Sequence, residues 1–281
     1  MTKTKNINPL FATDGYKIGH IQQYHPKTEL IFSNFTPRAD KLFSHYADDA
    51  PRGVLFVGIQ GVVKNFIIDL WNEGFFERDR AEVVNEYKNF VKGYLGTDMD
   101  VSHIGKLHDL GYLPIEIRAL PEGTLCPIQV PCYTVHNTYP EFGWLTNYLE
   151  SALSAETWKV ITNATTAFQY RLMAEKYAKE TCDNTLHMPW QCHDFSARGL
   201  SGIRDSYHTG IGHLASFMGT DSVLAIQYAN DYYNMQGSFV GGSVPASEHS
   251  VATTNIGTII SKLDQDNQYK GMDLEFLLKG L

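Results

Sequence analysis

The sequence lacks any apolar run of about 18 residues, so it predicts no membrane-spanning helix. Its N-terminus, MTKTKNINPLFATDGYK, has no continuous apolar core of the kind that a secretory signal peptide needs. Basic residues are also in deficit, since 23 Lys and Arg face 31 Asp and Glu and the formal net charge is −8. A general nucleic-acid binder needs a basic field, although local arginines can still bind phosphate. These absences predict a cytoplasmic protein without membrane or nucleic-acid partners.

Cysteine is scarce, with four residues in 281. No C-x-x-C pair and no Cys/His spacing typical of a zinc finger occurs, which predicts ordinary buried thiols and no metal ligands. Three glycine signatures are missing as well: the phosphate-binding G-x-x-x-x-G-K-[ST], the dinucleotide-binding G-x-G-x-x-G and the nucleophile elbow G-x-S-x-G. Their absence excludes three common classes of enzyme site.

The apolar fraction of 43% is enough for one large domain or two ordinary ones. In the first half, LIFSNFTPR (30–38) alternates like a strand that ends at Pro37. VLFVGIQGVVKNFIIDL begins like a strand and continues with helical apolar spacing at Val63, Phe66, Ile67 and Leu70. RAEVVNEYKNFVKGYLG predicts an amphipathic helix that Gly96 ends.

The middle of the chain changes character twice. Four prolines punctuate short alternating stretches between residues 113 and 138, which favours small antiparallel strands over a helix. The next forty or so residues, 141–182, have the composition of a helix. We expect a break near Trp158, which gives two helices.

From about residue 186 the order is strand, glycine-rich turn, helix, and this order repeats. Such alternation predicts parallel β/α units, in which ligand groups lie at the carboxyl ends of the strands. Three polar segments take that position: HDFSARG (193–199), GTD (219–221) and SVPASEHS (243–250). We therefore expect them to share one pocket, an inference that fails if the units are antiparallel.

Each candidate residue has a functional and a structural interpretation. Arg198 suits a phosphate or carboxylate, or else a structural salt bridge. Phe195 could stack on a flat ligand or fill the core, and Asp221 could accept a ligand amide or cap a helix. His249, beside Glu248, could act as a nucleophile or proton carrier, or lie idle on the surface. Tyr16 could present its ring to a ligand or anchor its loop.

Taken together, six segments resemble the nicotinamide phosphoribosyltransferase family in order and spacing, from about residue 8 to about 255. They are ATDGYKIGHIQQY, GYLPIEIRALPEGT, PEFGWLTNYLES, HDFSARG, GTDSVLA and SVPASEHS. The resemblance implies an α/β fold of the type II phosphoribosyltransferase kind: an N-terminal α+β domain (1–150), then the first part of an irregular α/β barrel (151–281). It implies a cytoplasmic pentosyltransferase of NAD salvage, a homodimer with its sites at the subunit interface.

The implied reaction joins nicotinamide to 5-phosphoribosyl 1-pyrophosphate, with Mg²⁺, to give nicotinamide mononucleotide and pyrophosphate. By resemblance, Phe195 stacks on one face of nicotinamide and Tyr16 of the partner subunit on the other. Asp221 accepts the carboxamide N–H, and Arg198 contacts the substrate near its phosphate and amide groups. His249 is the histidine that ATP phosphorylates as an optional activation.

Three further residues complete the implied site. Ser243 and Val244 line the ring pocket, and Arg38 reaches phosphate from the partner subunit. The carboxylate of Asp221 also favours nicotinamide over nicotinate, because like charges brought together cost several kcal/mol. A nicotinate phosphoribosyltransferase is the alternative enzyme.

The sequence departs from the family in one respect. It contains neither an RPDSGD-type strand end nor a GGGLL-type phosphate loop. Three accounts stay open: a partial sequence, one half of a split enzyme completed by a C-terminal half, or an inactive remnant that acts only as a dimerisation partner. The isolated chain is expected to show little activity and to expose an open barrel edge.

Overall fold

The computed structural model describes residues 7–41, 43 and 50–265. The chain forms two compact units, Met1–Gly242 and Ser243–Leu281. The first unit begins with 3₁₀ turns at Pro9–Phe11 and Gly15–Gln22. The domain division predicted from the sequence, 1–150 and 151–281, stays a prediction.

Five short strands build two antiparallel sheets in the N-terminal part: β1 (Phe32–Phe35), β2 (Val54–Phe56), β3 (Ile115–Ala119), β4 (Thr124–Cys126) and β5 (Tyr133–Asn137). One sheet has the order β1-β5-β3, and β2 pairs with β4 in the other. The small antiparallel strands predicted between 113 and 138 are therefore confirmed.

The helical segments between β2 and β3 also follow the predicted pattern. Helix α1 (Ile59–Val62) continues in π-helical form through Val63–Leu70 and Asn72–Phe76. Helix α2 (Arg80–Leu95) begins where the Asp79 carboxylate accepts the Glu82 N–H at 2.9 Å. It ends at Gly96, whose φ of 72° is left-handed and favours glycine. Helix α3 (Ser102–Leu110) completes the group.

The predicted break near Trp158 is wrong. Helix α4 (Trp144–Tyr148) is followed, after Leu149, by the unbroken helix α5 (Glu150–Thr181). Its threonines fit inside the helix because their hydroxyls donate to carbonyls one turn back, as Thr162 does to Trp158 at 2.8 Å and Thr165 to Ile161 at 2.7 Å. Packing on two sides outweighs the low helix propensity of these residues.

The next elements are β6 (His193–Asp194), α6 (Ile203–Leu214), β7 (Gly219–Thr220) and α7 (Val223–Tyr232). Strands β6 and β7 pair in parallel, and Gly219 makes a further parallel bridge to Gly242. The parallel arrangement predicted for this region is confirmed. In the second unit, most described side chains of helix α8 (His249–Gln265) are exposed, while Ile256 and Ile259 are half-buried.

Two apolar clusters meet along α5. Leu153 and Ile161 belong to the larger cluster, which contains Trp71 and Tyr87, while the second cluster contains Val160 and Ala164 of α5 with residues of β2, α6 and α7. One helix thus supplies side chains to both cores, since residues three or four positions apart share a face and adjacent ones do not.

The prediction of buried thiols is confirmed for Cys126 and Cys132 but wrong for Cys182, which is exposed, and Cys192 is half-buried. Within the described ranges, no helix has both the length and the apolar character that crossing a membrane requires.

The burial of His103 in α3 indicates that the stability of the core decreases at acidic pH. Its ring is 8% exposed and meets the Trp144 ring edge-on, with centroids 4.8 Å apart. Burial lowers the pKa of His103 from 6.5 to about 4, although Asp100 opposes the shift. Because the unfolded chain binds the proton more readily, stability is lost as pH falls from 6.5 towards 4, by up to about 3 kcal/mol.

Thermal unfolding measured between pH 7.5 and pH 4.5 checks this expectation. His103→Leu removes the titrating ring, so its melting temperature should fall less steeply over this range than that of the wild-type protein. His187→Leu, at an exposed position, serves as the control. Equal slopes for the wild-type protein and His103→Leu would contradict the expectation.

Candidate active site

The carboxyl ends of β6 and β7 lie side by side. Asp194 pairs with Thr220 in the parallel register, and the Asp221 N–H donates to the Asp194 carbonyl at 2.9 Å. This pairing places the residues after each strand at one edge, because parallel strands end in the same direction. Two of the three polar segments expected to share a pocket are therefore adjacent.

A chain of contacts joins Phe195 to Asp221 through His193. The rings of Phe195 and His193 are stacked with centroids 4.5 Å apart, and His193 Nε2 lies 3.2 Å from Asp221 Oδ1. Phe195 is 67% exposed, so its ring does not fill the core. The Asp221 side chain is 42% exposed. An aromatic face and a carboxylate are thus both open to a ligand at this edge.

Arg198 lies three residues after Phe195, in the 3₁₀ turn Ser196–Gly199. Its side chain is exposed, and no hydrogen bond or ion pair to its guanidinium occurs within residues 7–41, 43 and 50–265. A structural salt bridge therefore does not account for Arg198 in the described part of the chain. Its five donors suit a phosphate or carboxylate.

Two buried polar side chains next to the strand ends, those of Asp194 and His213, lie within hydrogen-bond distance of backbone groups at this edge. Asp194 is 8% exposed, and its Oδ1 accepts the Ser196 N–H at 2.8 Å, which starts the turn that carries Arg198. His213 of α6 lies with Nε2 2.9 Å from the Gly219 carbonyl oxygen. Burial lowers the pKa of His213, while the Asp194 carboxylate acts in the opposite direction.

Sequence reasoning placed His193 and Asp194 with Phe195 and Arg198 in one wall of the site but gave neither a role of its own, and it did not single out His213. His193 and Asp194 lie inside HDFSARG. A predicted strand that ends at Asp194 would have placed both residues at the strand edge that carries the site. His213 has no such signal, because its contact with Gly219 depends on how α6 packs against the sheet.

Tyr16 and Arg38 lie on other elements. Tyr16 is 66% exposed, and its hydroxyl is 3.4 Å from Asp14 Oδ2. Arg38 follows β1, is exposed, and lines cavities of about 360 Å³ and 570 Å³. Among the described contacts, none joins either side chain to Phe195 or Asp221. The expectation that a partner subunit supplies them stays a prediction.

Ser243, Val244 and His249 belong to the second unit, and all three are exposed. His249 is the first residue of α8. Their predicted roles stay predictions. Across the residues that the structure describes, no group of three or more His, Cys, Asp or Glu side chains is arranged to hold a metal ion.

Gly219 is expected to be essential to the geometry of the strand ends. A Cβ at this position would lie 2.8 Å from His193 Nδ1 and 3.1 Å from the Cys192 carbonyl oxygen. Gly219→Ala should therefore displace His193 and lower the free energy of unfolding by about 1–3 kcal/mol in urea titrations. Gly199→Ala is the matched control, since no described neighbouring atom lies within 4 Å of a Cβ there. Equal stability of the two variants would contradict this expectation.

Comparison with known proteins agrees with the motifs. Residues 190–274 match the nicotinate phosphoribosyltransferase (NAPRTase) family. A nicotinamide phosphoribosyltransferase of Acinetobacter baylyi is 51% identical over 248 residues, which cover 87% of this chain and 48% of that protein. One of Xanthomonas campestris pv. campestris is 31% identical over 248 residues, 88% of this chain and 49% of that protein.

A solved structure shows the fold. The crystal structure of human nicotinic acid phosphoribosyltransferase matches with a TM-score of 0.55 and 19% sequence identity, over 86% of this chain and 40% of that one. The two proteins therefore share a mixed α/β fold. The comparisons confirm the resemblance that the motifs predict: the chain is similar to proteins named nicotinamide phosphoribosyltransferase, and it spans about half the length of the curated relatives it matches.

Proposed function

We propose that the protein containing this chain is a nicotinamide phosphoribosyltransferase of NAD salvage, a cytoplasmic enzyme. The contact chain Phe195–His193–Asp221 carries the proposal, because it offers a flat ring and a carboxylate at one strand edge. Relatives named for this activity support the reaction class. In the reaction, the ring nitrogen of nicotinamide forms a bond to C1 of the ribose, and the bond from C1 to the pyrophosphate oxygen breaks.

The residues of the candidate site have distinct parts in this reaction. Phe195 stacks on nicotinamide, which contributes about 0.5–1.5 kcal/mol beyond the burial of area. Asp221 accepts the carboxamide N–H and so orients the ring nitrogen towards C1. Arg198 holds negative charge of the phosphoribosyl substrate. Orientation and charge stabilisation are the main means of catalysis when the reacting carbon becomes oxocarbenium-like.

Several groups outside the described strand edge belong to the same proposal. Ser243 and Val244 line the ring pocket, and Tyr16 and Arg38 come from the partner subunit of a homodimer. Mg²⁺ enters with the pyrophosphate substrate. His249, exposed at the start of α8, accepts a phosphoryl group from ATP as an optional activation. The chain contributes the N-terminal domain and the first units of an α/β barrel. The remaining phosphate donors come from family segments that have no match in this chain, the RPDSGD-type strand end and the GGGLL-type loop.

Nicotinate is the second candidate substrate, because the matching family and the human structure are both named for it. The carboxylate of Asp221 favours nicotinamide, since it attracts an N–H and repels the carboxylate of nicotinate. A noncatalytic dimerisation partner is the third candidate.

An assay of product formation distinguishes these candidates. The longest natural polypeptide that contains these residues is incubated with phosphoribosyl pyrophosphate, Mg²⁺ and either base, and both nucleotide and pyrophosphate are measured. Equal amounts of nicotinamide mononucleotide and pyrophosphate, with little product from nicotinate, are the expected result. Product from nicotinate alone supports the second candidate, and no product from either base supports the third.

A further inference from the structure

We infer that Asn147 is a positioning residue for Tyr16, an inference that rests on the proposed function, in which the Tyr16 ring stacks on nicotinamide. Asn147 lies near the end of α4, far from Tyr16 in sequence. The helical turn Gly15–Gln22 contains Tyr16. The Asn147 side chain holds this turn against the junction of α4 and α5.

Asn147 bonds to three side chains of one short segment. Its Nδ2 lies 2.7 Å from His20 Nδ1 and donates to the Tyr24 hydroxyl at 3.2 Å. Its Oδ1 accepts from Lys17 Nζ at 3.2 Å. The partners at 17, 20 and 24 are spaced by three and four residues, so they lie on the face of the turn that is directed at Asn147. A single side chain thus fixes this segment at three points.

Lys17 makes the attachment strong. It is 3% exposed, which is unusual for a lysine, and its Nζ donates to the Asn147 carbonyl oxygen at 3.0 Å and to Glu150 Oε2 at 2.6 Å. With Asn147 Oδ1 as the third acceptor, all three ammonium protons are used. A buried charge requires such pairing, so any shift of this segment would separate the charge from its partners.

Tyr16 itself is held only weakly. Its ring is exposed, its hydroxyl is 3.4 Å from Asp14 Oδ2, and its ring centroid is 5.4 Å from that of His20. The neighbours at 17 and 18 are buried, so the backbone on that side of Tyr16 is fixed while the ring stays open. The position of the ring is therefore set through the backbone, and the Asn147 side chain holds this backbone together with the bonds of Lys17 to Glu150 and to the Asn147 carbonyl oxygen. A ring placed in advance costs less entropy when a ligand stacks on it.

The test begins with Asn147→Ala in the longest natural polypeptide that contains these residues. Hydrogen exchange should be about tenfold faster for amides in residues 15–24, with no change in α2, because three side-chain bonds are lost. The KM for nicotinamide should rise while kcat and the KM for phosphoribosyl pyrophosphate stay close to those of the wild-type protein. Asn184→Ala, at an exposed turn, is the matched control and should change neither measurement.

Tyr16→Ala separates this inference from the function on which it rests. If Asn147 acts through Tyr16, the double variant should have the same nicotinamide KM as Tyr16→Ala alone. An unchanged KM in Asn147→Ala, together with a raised KM in Tyr16→Ala, would overturn the inference. So would unchanged exchange in residues 15–24. An unchanged KM in Tyr16→Ala would count against the stacking role, and the exchange measurement would then decide the inference by itself.

Tyr24→Phe covers the case in which Asn147→Ala does not fold. This variant keeps the ring and removes one hydroxyl that accepts from Asn147 Nδ2. A smaller acceleration of exchange, confined to the same segment, is expected, and its absence would overturn the inference.

Discussion

Asp221→Ser is expected to lower the preference for nicotinamide over nicotinate by about 100-fold. In the wild-type protein, the carboxylate would face a second carboxylate if nicotinate were bound, and that juxtaposition costs several kcal/mol. Serine removes the repulsion and can still accept or donate a hydrogen bond. The ratio of kcat/KM for the two bases, measured with the same phosphoribosyl pyrophosphate preparation, gives the preference directly.

Asp98→Ser is a suitable control, because Asp98 is also an exposed carboxylate and pairs with Lys92 away from the strand ends. It should leave the preference unchanged. Equal turnover of both bases by the wild-type protein, or an unchanged ratio in Asp221→Ser, would show that another group distinguishes the two substrates.

Phe195→Ala and Tyr16→Ala are each expected to raise the KM for nicotinamide by about tenfold or more while the fold is retained. Both rings are largely exposed, so their removal leaves no cavity in either apolar cluster. Tyr177→Ala, at another exposed aromatic residue on α5, should leave the KM unchanged. Circular dichroism and thermal unfolding check that all three variants fold.

Mixing the two variants tests whether one site uses residues of two subunits. In a symmetric dimer with shared sites, each mixed dimer carries one site with both substitutions and one with neither. Random exchange of subunits should then restore about a quarter of the wild-type activity at low nicotinamide concentration. No recovery after exchange, verified by differently tagged subunits, would place both rings in the same subunit.

Local elements were predictable where the chain carries its own start and stop signals. Helix α2 is the clearest case, because Asp79 caps its first turn and Gly96 ends it in a left-handed conformation. The pairing of β1 with β5, and of β2 with β4, was not predictable. These partners lie far apart in sequence, and only the packing of the whole unit brings them together. Helix α5 shows the same limit, because its continuity past Trp158 depends on two cores that the helix itself helps to build.

The part of the candidate site that lies at the ends of the strands was predictable from the sequence, because the strand ends themselves were predictable. HDFSARG and GTD each begin with a short strand, so the adjacency of Phe195 and Asp221 followed once the strands were taken as parallel. The ring of His193 between them could not be placed without the register of the pairing. Asn147 gave no signal at all, because its three side-chain partners lie 123 to 130 residues earlier in the chain.

The joint packing of β2 and α5 has a consequence for synthesis on the ribosome. The Leu55 N–H donates to Thr165 Oγ1 at 2.9 Å across 110 residues of chain, and Leu55 and Val57 pack in the cluster that contains Val160 and Ala164. At about 5–20 residues per second, the strand must wait roughly 5–20 s after its own synthesis before this part of the helix is made. During that interval Leu55 and Val57 lack their partners on α5. The nascent chain is therefore open to aggregation and to chaperone binding at β2 until α5 has been translated.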